Sequence, residues 1–194
     1  MTLRIIALSI LVGVGALGYR AFKLAPKLEL NAKFIDNVGH AFNIELPDGD
    51  IIGVSVAHVC EAKRWKTYTV SRVFKDWDLC ILDTPVAGLK AYKVLKEFSG
   101  LTTGFTIMHH VMDEPMIVEG IIWGFSALES LRLKSTMPIT YGASGSPVIT
   151  KDGELIGAIS SGFFTESDIF SIQTFITPIM PMVDLLMEER GYDE

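Results

Sequence analysis

Apolar and polar residues alternate over short stretches of this chain, and turn-forming residues interrupt them. "HAFNIEL" runs into "PDGD", "SPVIT" runs into "KDGE", and "IIGVSV", "TYTVSRVF", "LCILDTP", "FTIMHHV", "PMIVEGIIWGFSAL", "LIGAIS" and "SIQTFITP" repeat the theme. A period of two marks a strand with one face buried, and short apolar runs between turn signals mark strands buried on both faces. Asp48-Gly49 and Asp152-Gly153 each lie between two such stretches, where a glycine that accepts positive φ predicts a tight hairpin. Helix-length amphipathic segments are missing from this middle region. Only near the end do Ile179, Met182, Val183, Leu186 and Met187 fall at helical spacing. The pattern predicts an all-β chain, barrel or sandwich, closed by a short C-terminal helix. Residues 85–100 are poorer in strand signals and divide the strands into two halves, which makes them a candidate linker.

The first residues differ from this pattern. Residues 5–19 carry no charge, with Arg4 before them and Arg20, Lys23 and Lys27 after. Fifteen helical residues cover about 22 Å, short of a hydrocarbon core of about 30 Å, but Leu3, Ala21, Phe22 and snorkelling arginines extend the reach. The expectation is a transmembrane helix over residues 1–27, single-pass. The basic cluster after it places the following domain on the cytoplasmic side. A cleavable signal peptide, with Ala16-Leu17-Gly18 at the cut, is the alternative and would make the domain secreted.

The chain has 194 residues, 49% of them hydrophobic, and a net charge of −6. It therefore has material for a packed core and lacks the basic footprint that binding nucleic acid requires. Cys60 and Cys80 are its two cysteines; they form no disulfide framework and fit a reducing compartment, with a single Cys60–Cys80 bridge as the alternative. A metal site is poorly supported, since the adjacent His109 and His110 point to opposite faces of a strand.

One stretch raises a chemical question. "YGASGSPVIT" holds Ser144 between small residues, and a serine hydroxyl becomes a nucleophile only beside a base that is itself oriented by an acid. His58 follows the apolar strand of "GVSVAHVC", whereas His40 sits in an early turn. Among Asp76, Asp78 and Asp83, only Asp78 runs directly into a buried strand, "LCIL", where a carboxylate escapes screening by water.

Together "VAHVC", "DLCIL" and "GASGSP" resemble the histidine, aspartate and nucleophile motifs of chymotrypsin-fold serine peptidases, in that family's order. The resemblance covers residues 34–190. It implies two six-stranded antiparallel β-barrels, over residues 28–90 and over residues 91–194 with the C-terminal helix. It also implies an endopeptidase acting on polypeptides without metal or cofactor, which the N-terminal segment would attach to a membrane. His58, Asp78 and Ser144 would be its triad, and the N–H groups of Gly142 and Ser144 its oxyanion hole. "GELIGAISSGF" resembles the family strand that binds substrate, so Ser160 is expected to hydrogen-bond Asp78 and residues 160–162 to pair with the substrate main chain. Tyr141, Ile159, Ser160, Ser161 and Gly162 would form the substrate site. The short His58–Asp78 spacing looks more like compact viral 3C-like and HtrA-type enzymes than digestive ones. Ala143 departs from the secreted members, which carry an aspartate there for zymogen activation. Ile159 departs from the viral enzymes selective for Glu or Gln, which carry a histidine, and the expected P1 residue is uncharged and apolar. The reading from a different class is a catalytically silent module of the same fold that binds extended peptides.

Overall fold

The computed structural model describes residues 31–109, 115–125, 132–165, 170–171 and 173–192. The expected membrane segment, His110 and the side chain of His109 lie outside the described residues. Among the described residues no helix is long and apolar enough to cross a membrane.

The first half is a six-stranded sheet in which β1 (Ala32–Ile35), β2 (Gly39–Glu45), β3 (Ile51–Ser55), β5 (Leu79–Leu82) and β4 (Val70–Phe74) follow one another in the order β1-β2-β3-β5-β4. The expectation of a closed barrel here is corrected: among the described residues this sheet does not close. The reason lies in β6 (Ala91–Lys93), which pairs in parallel with Asn43, Ile44 and Glu45 along the edge of β2 that β1 leaves vacant, so it extends that edge instead of joining β1 to β4. Buried Asn43 clips the approach to β6 in place. Its amide donates to the carbonyls of Val86 and Leu89 at 3.0 and 3.1 Å and accepts from the Val86 N–H at 2.7 Å, which satisfies a polar group that burial would otherwise penalise.

The second half closes as a barrel in the order β10-β11-β12-β9-β8-β7, with β7 (Leu101–His109), β8 (Pro115–Phe125), β9 (Leu133–Ser135), β10 (Pro147–Ile149), β11 (Leu155–Phe163) and β12 (Gln173–Pro178). Both Asp-Gly hairpins form, with Gly49 and Gly153 at φ 91° and 84°. The C-terminal helix also forms, as α2 (Met180–Glu189).

That helix returns to the first half. Met182, Val183 and Met187 bury into one cluster with Phe42, Val54, Leu79 and Trp65. Arg72 grips Glu189 through two hydrogen bonds at 2.5 and 2.9 Å, and Arg190 reaches Asp48 and Asp50. The main chains of the two halves also touch, the His40 N–H donating to the Ser144 carbonyl at 2.8 Å, and within the first half Ser55 Oγ donates to the His40 carbonyl at 2.6 Å. Gly145, at φ 80°, sits against this seam so closely that a Cβ would lie 2.1 Å from the His40 oxygen.

Cys60 and Cys80 are joined as a disulfide across twenty residues, the second of the two readings open to the sequence. By chain entropy, closing a loop of this size stabilises the fold by about 3 kcal/mol. Replacing both cysteines by alanine is therefore expected to lower the unfolding free energy by about 2–4 kcal/mol in urea denaturation, relative to the oxidised protein.

Candidate active site

The pairing of β3 with β5 sets Ser55 opposite Cys80. Antiparallel strands bring residues just past the end of one beside those just before the start of the other. His58 and Asp78 meet in this way. His58 lies in a one-turn helix, α1 (Ala57–Cys60), directly after β3, and the Ala57 N–H donates to the Asp78 carbonyl at 3.1 Å. Asp78 ends the 3₁₀ turn Lys75–Trp77 in the left-handed conformation, φ 52°, which an aspartate tolerates better than most residues.

The Asp78 carboxylate is buried and faces three donors. His58 Nδ1 lies 3.0 Å from both oxygens, the His58 main-chain N–H donates at 3.1 Å, and Ser160 Oγ donates at 2.5 Å. Burial pushes this carboxyl's pKa up, but the hydrogen bonds from His58 and Ser160, with the attraction of His58, outweigh it and hold the pKa below the ordinary aspartate range. The imidazole itself is about half exposed. Since Nδ1 is engaged by a carboxylate, Nε2 is the nitrogen left to act as a base.

Ser144 arrives from the other half. The ladder between β10 and β11 continues past Pro147, with the Ile159 N–H donating to Ser146 O at 2.9 Å and the Gly145 N–H to Ile159 O at 2.8 Å. It delivers Ser144 beside Ser160, and Ser144 Oγ donates to the Ser160 carbonyl at 3.4 Å. Ser160 thus holds Asp78 with its side chain and Ser144 with its main chain. In the loop, Gly142 takes φ 89°, a conformation that favours glycine. The Ala143 N–H donates to Thr140 O at 3.2 Å, while among the described residues the N–H groups of Gly142 and Ser144 on either side have no protein acceptor. They are two donors on the loop that carries the Ser144 hydroxyl.

The remaining sequence candidates are distributed unevenly. Ser161 and Gly162 continue β11 opposite Phe175 and Thr174 of β12. On the other side β10 pairs only as far as Ala158, so among the described residues the β11 edge beyond Ile159 has no strand partner next to Ser144. Ile159 itself is fully buried in the core of the second half and meets the loop through its main chain. Tyr141 is 82% exposed, with its ring stacked on Phe164.

Sequence reasoning missed His40. This residue is wholly buried, packs against Phe34 and donates from Nδ1 to the Gly142 carbonyl at 3.1 Å. It braces the loop from the opposite half. The available signal was a histidine just after a glycine at the start of a strongly apolar strand.

This two-part architecture, a closed barrel and a second sheet with the Ser144 loop between them, is the fold of the chymotrypsin-type serine proteases. Solved structures carry that assignment. The chain is similar to an HtrA-type protease, AlgW, with a decapeptide, at TM-score 0.60 and 17% identity, over 78% of this chain and 51% of that one. It is also similar to the serine protease domain of the Sesbania mosaic virus polyprotein, at TM-score 0.59 and 17% identity, over 77% and 85% of the two chains. A third is an inactive mutant form of Rv3671c from M. tuberculosis H37Rv, at TM-score 0.56 and 13% identity, over 80% and 83%. The matched region spans about half the length of the AlgW chain. No family model and no curated protein sequence matches the chain.

Because folded Asp78 titrates below its unfolded counterpart, its ionised form adds stability above the ordinary aspartate pKa of about 3.9, and that stability is lost as pH falls through the folded value. The stability advantage of the wild type over Asp78→Asn is expected to shrink as pH drops from about 5 to below 4. Urea denaturation of both proteins across that range tests it, and an unchanging difference would contradict the hydrogen bonds described.

Proposed function

We propose that the chain is a serine endopeptidase in which Ser144 is the nucleophile, His58 the base, and Asp78 the group that orients His58. Ser144 Oγ attacks the carbonyl carbon of a peptide bond while its proton passes to His58 Nε2. The N–H groups of Gly142 and Ser144 take the oxyanion, and the imidazolium returns the proton to the leaving amine as the acyl-enzyme forms. Water then repeats the cycle in reverse. The observation that carries this reading is the buried Asp78 carboxylate, which the His58 ring and the Ser160 hydroxyl hold together so that it orients the imidazole. The unpaired edge of β11 beyond Ile159 supports a polypeptide substrate, which would add to the sheet as a strand and lead its carbonyl to Ser144. The uncharged run at residues 5–19 with its basic flanks supports attachment to a membrane.

A second reading, a silent peptide-binding module, is favoured by one contact: the hydrogen bond of Ser144 Oγ goes to Ser160 and not to His58. The endopeptidase reading requires a rotation of that side chain, and catalytic hydrogen bonds often tighten only when substrate binds.

Reaction of the full chain with a fluorophosphonate probe separates the two. Labelling of the wild type is expected, with none for Ser144→Ala and at least a hundredfold slower labelling for His58→Ala. Ser160→Ala is expected to slow labelling by about ten- to a hundredfold, as loss of a hydrogen bond to a buried carboxylate costs about 1.5–3 kcal/mol. A folded wild type that stays unlabelled at neutral pH yet binds extended peptides would establish the silent module.

A further inference from the structure

The endopeptidase reading leaves open which side chain the site accepts at P1, the residue whose carbonyl Ser144 attacks. If a substrate strand runs along the free edge of β11, that side chain enters between the two segments flanking Ser144, residues 138–141 and residues 160–164. The space beside Gly162 is the measure of this slot, and it is occupied. A Cβ built on Gly162 would lie 2.9 Å from Ser171 Cβ, 3.0 Å from Phe164 Cε2 and 3.1 Å from Ile139 Cδ1. Three separate segments converge there.

The filling is held in place. Ile139 is buried, its N–H donates to Ser171 Oγ at 3.0 Å, and the Ser171 N–H donates back to the Ile139 carbonyl at 2.8 Å. Beneath them Ser171 Oγ and Thr174 Oγ1 lie 2.9 Å apart, and Thr174 Oγ1 donates to Met137 O at 2.6 Å. Toward solvent, the half-buried Phe164 stacks on Tyr141 with ring centroids 4.8 Å apart and planes 10° from parallel. One ring comes from each flanking segment, so the pair bridges the slot from wall to wall. Among the described residues none of this lining carries a charge.

We infer that the Phe164 ring, stacked on Tyr141 and backed by Ile139, determines specificity by limiting P1 to uncharged side chains of about methyl size. This rests on Ser144 being the nucleophile. It narrows the apolar P1 expected from the sequence to its smallest members, and it assigns Phe164 a role that the sequence motifs did not point to. A benzyl or isobutyl group has to displace the stack, whereas a methyl group fits against it.

Two diphenyl phosphonate peptides that differ only in a methyl or a benzyl group on the carbon next to phosphorus test the inference on the full chain. In this reaction Ser144 Oγ bonds to phosphorus, phenoxide departs, and the serine proton ends on the phenol. The wild type is expected to react at least thirtyfold faster with the methyl probe. Phe164→Ala is expected to narrow that ratio at least tenfold, and Phe164→Leu, which keeps apolar bulk without the stack, to fall between. Each ratio is taken within one variant, so partial loss of folded protein cancels. A fluorophosphonate without a side chain reports separately whether Ser144 is activated. If it labels the wild type while the benzyl probe reacts as fast as the methyl one, or neither peptide probe reacts, or both variants keep the wild-type ratio, the inference is overturned and the endopeptidase reading stands. If the fluorophosphonate does not label the wild type, the reading of Ser144 fails and this inference falls with it.

Discussion

A buried carboxylate has to be satisfied, and the way Asp78 meets this demand organises the site. An ionised group removed from water is costly unless hydrogen bonds replace its hydration. Asp78 obtains them from the main chain and ring of His58 and from the hydroxyl of Ser160. His58 follows β3 in the first half, and Ser160 belongs to β11 in the second. The two halves are therefore drawn together by the needs of one side chain. The same bonds fix the orientation of the imidazole and tie β11 to the loop that carries His58.

The elements carried by local chemistry were legible in the sequence. The Asp-Gly turns, the alternating strands on either side of them and the spacing of Ile179, Met182, Val183 and Met187 each report a local preference, and each appears in the fold. Asp78 was legible because it precedes an apolar run. Closure of the first sheet was not, because it depends on which edge of β2 a three-residue strand chooses, and β6 is too short to show a pattern. Short β1 and β9 were hidden for the same reason. The Cys60–Cys80 bridge needed the adjacency of α1 and β5, which spacing alone does not reveal. His40 escaped notice because its partner is a main-chain carbonyl 102 residues away, and no side-chain motif marks such a contact.

Two kinds of control meet at Ser144. On the proposed reading, the chemistry rests on polar groups held by main-chain geometry, the donors of Gly142 and Ser144 and the brace from His40. Discrimination would rest instead on the apolar side chains that pack around Gly162. The first set tolerates little movement. The second is a matter of volume, and changes to it need not disturb the hydrogen bonds beside it.

Part of the seam between the halves is built from main-chain atoms. Gly39 approaches the Ser144 carbonyl so closely that a Cβ would stand 2.7 Å from it, and Gly145 presses on His40 in the same way. What such a junction asks of evolution is that two positions stay bare. A side chain at either would have to push the two halves apart, so the closeness of the junction is itself a constraint on those two residues.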